Sequence, residues 1–346
     1  MVATYHKYVL EFKKPSGTSR GILRQKETWF IVLSHDGKKG IGECGILRGL
    51  SVDDRPDYEA KLHWVCNHID LGLDRLLQEL IEFPSIQFGL EIAFRSLASE
   101  NPFLLYKSSF TDSKDPISIN GLIWMGDKKS MKDQIEDKLQ NGFDCIKMKI
   151  GAIDFDTELD LLSYIRSQFP KNEIEIRVDA NGAFTPEDAL HKLKRLSQFE
   201  IHSIEQPIKQ KQYQKMAELC DKTPLPIALD EELIGVFDIA EKEKLLTLIK
   251  PQYIILKPSL VGGIKGTQEW IALAKKFGIG WWITSALESN IGLNAIAQFT
   301  YTLQSDMPQG LGTGSLYTNN FESPLTVTNG TLLYDKSKAW KVEYIN

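Results

Sequence analysis

Five short stretches decide the fold: CIKMKIG (145–151), IEIRVDAN (174–181), SIEQP (203–207), PIALDEE (226–232) and YIILKPS (253–259). Each is a brief apolar run that stops on a charged residue. Between them lie amphipathic segments with the apolar spacing of helices. Extended in both directions, the rhythm places strand ends near Asn120, Lys149, Asp179, Glu205, Asp230, Lys257, Ser285 and Gly312. These are about 25–30 residues apart, the length of one βα unit. Eight such units predict an α/β protein with a closed parallel barrel. An open doubly wound sheet is the alternative, but no glycine-rich phosphate loop follows the first strand.

Outside the barrel the pattern changes. Residues 4–13, 20–35 and 38–43 are rich in β-branched and aromatic types, with a turn at His35-Asp36-Gly37. Helical periodicity follows in 57–68, 71–81 and 86–99, so an α+β domain over 1–112 is expected. Residues 106–115 are polar and form a candidate linker. The barrel is expected over 113–319. The tail, 320–346, contains an Asn-Gly turn and is expected to complete the N-terminal domain by returning to its sheet.

The chain has 346 residues, 42% hydrophobic and 25% charged, with a net charge of −5. That size supports a large core. The acidic balance argues against nucleic acid as a partner. No apolar run reaches the ~18–20 residues of a membrane span, so no membrane partner is expected. The N-terminal stretch alternates apolar and polar residues and lacks the apolar core of a secretion signal. Cys44, Cys66, Cys145 and Cys220 form no CxxC pair, which fits reduced thiols and a cytoplasmic location. Oligomeric state is not legible.

Charge at the C-terminal end of a barrel strand is where barrel enzymes carry their chemistry. Asp179, Glu205 and Asp230 end three consecutive strands, and neighbouring strands lie about 4.7–4.9 Å apart. One such carboxylate is explained equally well by an ion pair. Three together need a compensating cation. Oxygen ligands without His or Cys favour Mg²⁺, or Mn²⁺, over zinc. Lys147 and Lys149 alternate on the preceding strand and Lys257 ends the following one, so amines flank the carboxylates on both sides. A lysine acts as a base only when neutral, which a neighbouring cation promotes. A metal gripping a substrate carboxylate acidifies its α-proton, and a lysine can remove it. Simple pairing of each lysine with a carboxylate is the alternative.

With these residues in place, the chain resembles the muconate-lactonizing subgroup of the enolase superfamily. The resemblance rests on KMK (147–149), VDAN (178–181), IEQP (204–207), LDEE (229–232) and ILKP (255–258), in order. It implies a TIM-like (β/α)7β barrel under an α+β capping domain. It also implies Asp179, Glu205 and Asp230 as metal ligands, Lys149 as base, Lys257 as its opposite partner and Lys147 as the residue tuning Lys149. Within the subgroup, PSGTSRGIL (15–23), INGLIWMG (119–126) and TSALESNIGL (284–293) are most similar to the o-succinylbenzoate synthases. Those are lyases that dehydrate a small cyclohexadiene carboxylate in menaquinone synthesis. Dipeptide epimerases, N-acylamino acid racemases and muconate cycloisomerases share the same residues. Dipeptide epimerases carry an Asp-x-Asp on strand eight, where this chain reads GLGTGSLY (310–317). A non-catalytic carboxylate-binding barrel is the third reading.

Lesser signals complete the expectation. Ser285, Ser289 and Asn290 open a helix and could receive a substrate carboxylate or merely cap it. Asn181 and Glu231 are placed to support the ligands. Gly262-Gly263 leave room for an anion or form a tight turn. The glycine-rich loop 40–51, with Leu47, Arg48 and Leu50, and also Arg20, are expected to cover the substrate.

Overall fold

The computed structural model describes residues 1–18 and 21–342; Arg20 lies outside them. The chain opens with three antiparallel strands, β1 (Val2–Thr18), β2 (Gly21–His35) and β3 (Lys38–Gly45), in the order β1-β2-β3. β1 and β3 run further than expected, because the apolar–polar alternation continues past the breaks in composition, while β2 matches its expected span. Helices α1 (Tyr58–Asn67), α2 (Leu73–Glu79) and α3 (Pro84–Ala98) cover one face. Trp29, Ile31, Leu33, Leu62, Leu90 and Ala93 form its separate core.

Three glycines of loop 40–51, Gly40, Gly42 and Gly45, serve packing rather than lid motion, while Gly49 makes a turn with φ 73°. Gly40, Gly42 and Gly45 belong to β3, and a Cβ on Gly42 would sit 1.8 Å from the Gly89 carbonyl of α3. Strand and helix backbones therefore touch directly. Replacing Gly42 with alanine should cost about 3 kcal/mol, the upper end of the overpacking range, in urea unfolding. A change below about 0.5 kcal/mol would show that this contact gives way freely.

Seven parallel strands follow: β5 (Gly121–Ile123), β6 (Cys145–Lys149), β7 (Glu175–Asp179), β8 (Ser203–Glu205), β9 (Ile227–Leu229), β10 (Tyr253–Leu256) and β11 (Gly280–Ile283). Between them run α4 (Lys128–Gln140), α5 (Phe155–Gln168), α6 (Pro186–Leu196), α7 (Tyr213–Lys222), α8 (Ile239–Ile249) and α9 (Gly263–Phe277); α10 (Asn290–Thr302) follows β11. Local signals explain them. In α6, Thr185 accepts from the Asp188 N–H, Pro186 takes the first turn, and Lys194 and Arg195 sit at the C-terminal end.

The eighth position is a short extended segment. Gly310 N–H donates to Ile283 O (2.8 Å), Ser285 N–H to Gly310 O (3.0 Å) and Asn120 N–H to Gln309 O (3.0 Å). This closes the ring, and among the described residues no helix follows it. The fold is α/β, a (β/α)7β barrel with an N-terminal α+β unit.

Three expectations need correction. The first barrel strand ends at Ile123, beyond Asn120, while Ile117–Ser118 form a separate strand, β4. The tail hairpin, β12 (Leu325–Thr328) and β13 (Thr331–Tyr334), pairs with β4 and not with the N-terminal sheet. Other residues of the tail do return to that sheet: Phe321 clusters with Phe30, Val32 and Ile41, and Trp340 packs against them. Nor is 106–115 a free linker, since Phe110 and Thr111 are buried. Among the described residues, no helix is long and apolar enough to cross a membrane.

Candidate active site

Strand alternation sorts the barrel residues into two layers. Ile146, Met148, Ile176, Val178, Ile204 and Leu229 point outward into the helix-covered core. Their neighbours therefore point inward. Lys149, Asp179 and Glu205 lie in one row, because Lys149 pairs with Asp179 and Asp179 with Glu205 across β6, β7 and β8. Asp230 and Lys257 follow directly on β9 and β10.

The charged groups meet. Lys149 Nζ lies 2.9 Å from Asp179 Oδ2 and donates to Asn181 Oδ1 at 2.7 Å. Lys147 Nζ is 3.2 Å from Asp179 Oδ2 and also bonded to Glu205 Oε2. Lys257 Nζ is bonded to Asp230 Oδ2 and stands 4.0 Å from Glu205 Oε1. The three carboxylates are almost completely buried. Burial would raise the Asp179 pKa, but the Lys147 and Lys149 ammoniums outweigh it and hold the carboxyl well below its usual range. Glu205 goes the other way: burial, then Asp179 and Asp230, push it up to about 8. Burial works against the charge on Lys147 and Lys257, yet the adjoining carboxylates raise both.

The donor set suits a hard divalent cation. Glu205 Oε1 is buried without a hydrogen-bond donor, so this carboxylate has an oxygen to offer. Among the described residues, no three acidic, His or Cys groups already close on one point as a metal cage. The ammoniums of Lys147 and Lys257 stand between the acids instead.

Several supporting residues were not legible beforehand. Gln206 has a left-handed backbone, φ 39°, a strained choice for a residue with a long side chain. Its amide holds the next loop: Nε2 donates to Glu232 Oε2 (3.0 Å), and Oε1 accepts from Asp230 N–H (3.3 Å). The only advance signal was its place in SIEQP. Glu158 of α5 accepts from Gly151 N–H at 2.6 Å and so holds the loop after Lys149. Asn181 and Glu231 do sit beside the acids: Asn181 N–H donates to Asp179 Oδ1 (3.0 Å) and Asn181 Nδ2 to Glu231 Oε1 (2.9 Å).

Above the charges opens a cavity of about 1450 Å³, lined by Lys147, Lys149 and Lys257 below and by Leu23, Leu47 and Leu50 from the N-terminal unit. That unit is therefore a cap. Ser285 and Asn290 also line the cavity, and Asn290 Oδ1 is buried without a partner. Ser289 does not reach it. It is wholly buried, caps α10 through Ile291 N–H and donates to Glu43 of the cap. Arg48 lines the cavity, but its guanidinium is held by Glu27 (2.7 Å) and Asp54 (2.5 Å).

Gly262-Gly263 do receive an anion, and it is the protein's own. Glu91 of α3 accepts from Ile264 N–H (2.5 Å) and Lys265 N–H (2.9 Å), and a Cβ on Gly263 would sit 2.1 Å from its carboxylate. Burial pushes Glu91 up to about 7, with the two N–H donors, Lys265 and Arg95 opposing. A raised carboxylate contributes stability that is complete below the ordinary value of 4.5 and is lost as pH rises through about 7. Glu91→Gln should therefore flatten the fall in melting temperature between those two pH values. An unchanged slope would place the titration elsewhere.

Residues 130–337 match the family described as enolase C-terminal domain-like. The o-succinylbenzoate synthase of Desulfotalea psychrophila (strain LSv54) is 48% identical, over 96% of this chain and 98% of that protein. The crystal structure of MenC from Desulfotalea psychrophila LSv54 superposes with a TM-score of 0.86 at 44% identity, covering 96% of this chain and 99% of that one. A dipeptide epimerase from Cytophaga hutchinsonii, complexed with Mg and the dipeptide D-Ala-L-Val, shares the fold: TM-score 0.83, 20% identity, 100% and 98% coverage.

Proposed function

Because the chain belongs to the enolase C-terminal domain-like family, we propose that it dehydrates 2-succinyl-6-hydroxy-2,4-cyclohexadiene-1-carboxylate to 2-succinylbenzoate. This is a carbon–oxygen lyase step of menaquinone synthesis, and a cytoplasmic location goes with it. The observation that carries the reading is the placement of Lys149 and Lys257 on opposite sides of three buried acids, beneath one cavity.

Asp179, Glu205 and Asp230 would hold Mg²⁺, or Mn²⁺. When bound, the ion supplies positive charge to the substrate carboxylate and acidifies the neighbouring C–H. Lys149 Nζ removes that proton, and the C–H electrons pass into the carboxylate as an enediolate. The C–O bond to the β-hydroxyl then breaks, Lys149 returns the proton to the departing oxygen, water leaves and the ring becomes aromatic. Lys257 keeps its charge and stabilises the enediolate from the other side. Lys147, bonded to both Asp179 and Glu205, fixes their orientation and adds positive charge near Lys149. The cap leucines keep water from the reacting carbons.

The test is loss of the diene absorbance when protein and Mg²⁺ meet this substrate. No loss would refute the reading. Exchange of the α-hydrogen of N-succinyl amino acids in deuterium oxide, without diene turnover, would favour the racemase alternative.

A further inference from the structure

The seam between cap and barrel holds a buried charge cluster outside the reaction described above. Glu43 of β3 is completely buried and accepts four hydrogen bonds: from Thr28 Oγ1 (2.9 Å), Ser289 N–H (2.9 Å), Ser289 Oγ (2.5 Å) and Gly292 N–H (2.8 Å). Two of these acceptances cap α10. Glu288, equally buried, accepts from Ser259 Oγ and Ser285 Oγ, each at 2.6 Å. Ser259 lies two residues beyond Lys257, and Ser285 lines the cavity. Glu288 thus ties the loop carrying Lys257 to the cavity wall.

The two side chains meet at Gly292, where a Cβ would sit 2.8 Å from both Glu43 Oε2 and Glu288 Cβ, and two buried acids this close call for a cation nearby. Lys26 supplies the charge. It stands on β2 opposite Leu10, is 4% exposed, and its ammonium has no hydrogen-bond partner. Burial lowers its pKa, while Glu43 and Glu288 both act to raise it. Its space is kept open by Gly45, where a Cβ would come within 2.5 Å of Nζ. The cation and one acid belong to the cap, and the other acid belongs to the barrel.

We propose that Lys26 is a positioning residue: buried beside Glu43 at the seam, its ammonium offsets the charge of Glu43 and Glu288, and so sets the Ser259–Ser285 wall behind Lys257 when the cap is seated. This rests on the dehydratase reading. The formal charge of the trio is −1. Lys26→Met takes it to −2, and Lys26→Met combined with Glu43→Gln returns it to −1.

Lys26→Met should lower kcat about 10- to 100-fold with KM changed less than about threefold, the signature of a misplaced group rather than a lost contact. The double variant should recover at least about threefold of that loss, together with melting temperature. Amide hydrogen exchange at Ser289 and Gly292 should speed up in the single variant and slow again in the double. A single variant with wild-type kcat would overturn the proposal, as would a double variant no better than the single in any readout. If Lys26→Met does not fold, the double variant decides by the same comparison with wild type. Were the wild type itself inactive on the diene, the dehydratase reading would fall, while exchange and melting would still judge the charge balance.

Discussion

Lys149→Ala should reduce kcat for diene dehydration by about 10³-fold or more, while the protein stays folded. General acid–base catalysis is typically worth about 10²–10⁴-fold, and Lys149 serves here in both directions, taking the α-proton and returning it to the hydroxyl. No other group covers for it. Lys147, the nearest amine, is bonded to Asp179 and Glu205 and lies deeper in the barrel. The fold should tolerate the change because Asp179 keeps Lys147 at 3.2 Å and the Asn181 N–H at 3.0 Å. Binding of Mg²⁺, followed by calorimetry, should persist, since the acids remain and lose a competing ammonium. Activity within tenfold of wild type would remove Lys149 from the role of base.

Lys257→Met should lower kcat by about 10²–10³-fold, the usual effect of deleting one fixed group that stabilises developing negative charge. It should also change stability in a way that Lys149→Ala does not. Lys257 is a partner of Asp230 and stands near Glu205, whose pKa burial and the adjoining acids already push up to about 8. Removing one member of a buried ion pair typically costs about 3–5 kcal/mol. The melting temperature should therefore fall in chelator and be largely restored by Mg²⁺, more so than in the wild type. The chemistry separates the readings as well. In a dehydration Lys257 never carries the migrating proton, so slow proton abstraction by Lys149 should remain measurable as deuterium exchange. In an epimerase, which needs an acid on each face, epimerisation would stop. Melting that ignores Mg²⁺ in this variant would count against a cation among these acids.

Much of the site was readable before the structure because strand ends are local features. An apolar run that closes on a charge must release that charge at the rim of the sheet, and five such runs at a constant interval describe a ring. The row Lys149, Asp179, Glu205 follows from that alone. The reading failed where a residue's task depends on what docks against it. Gly40 and Gly42 of the 40–51 loop looked mobile, yet they exist because a helix backbone lies on them. Ser289 read equally as substrate contact or helix cap; it is the cap, and its hydroxyl donates to a carboxylate 246 residues away. The anion expected at Gly262-Gly263 proved to be Glu91.

Sequence by itself determined the α/β barrel, the strand ends from Lys149 to Lys257 and the three acids with three amines, because hydrophobic period and strand-end charge act over neighbouring residues. Only the tertiary structure decided how the cap is seated, which carboxylates cap α9 and α10, where the tail hairpin pairs, and that the buried Lys26 amine has no hydrogen-bond partner. Those outcomes depend on contacts between segments far apart in the chain, where burial, not periodicity, selects the partner.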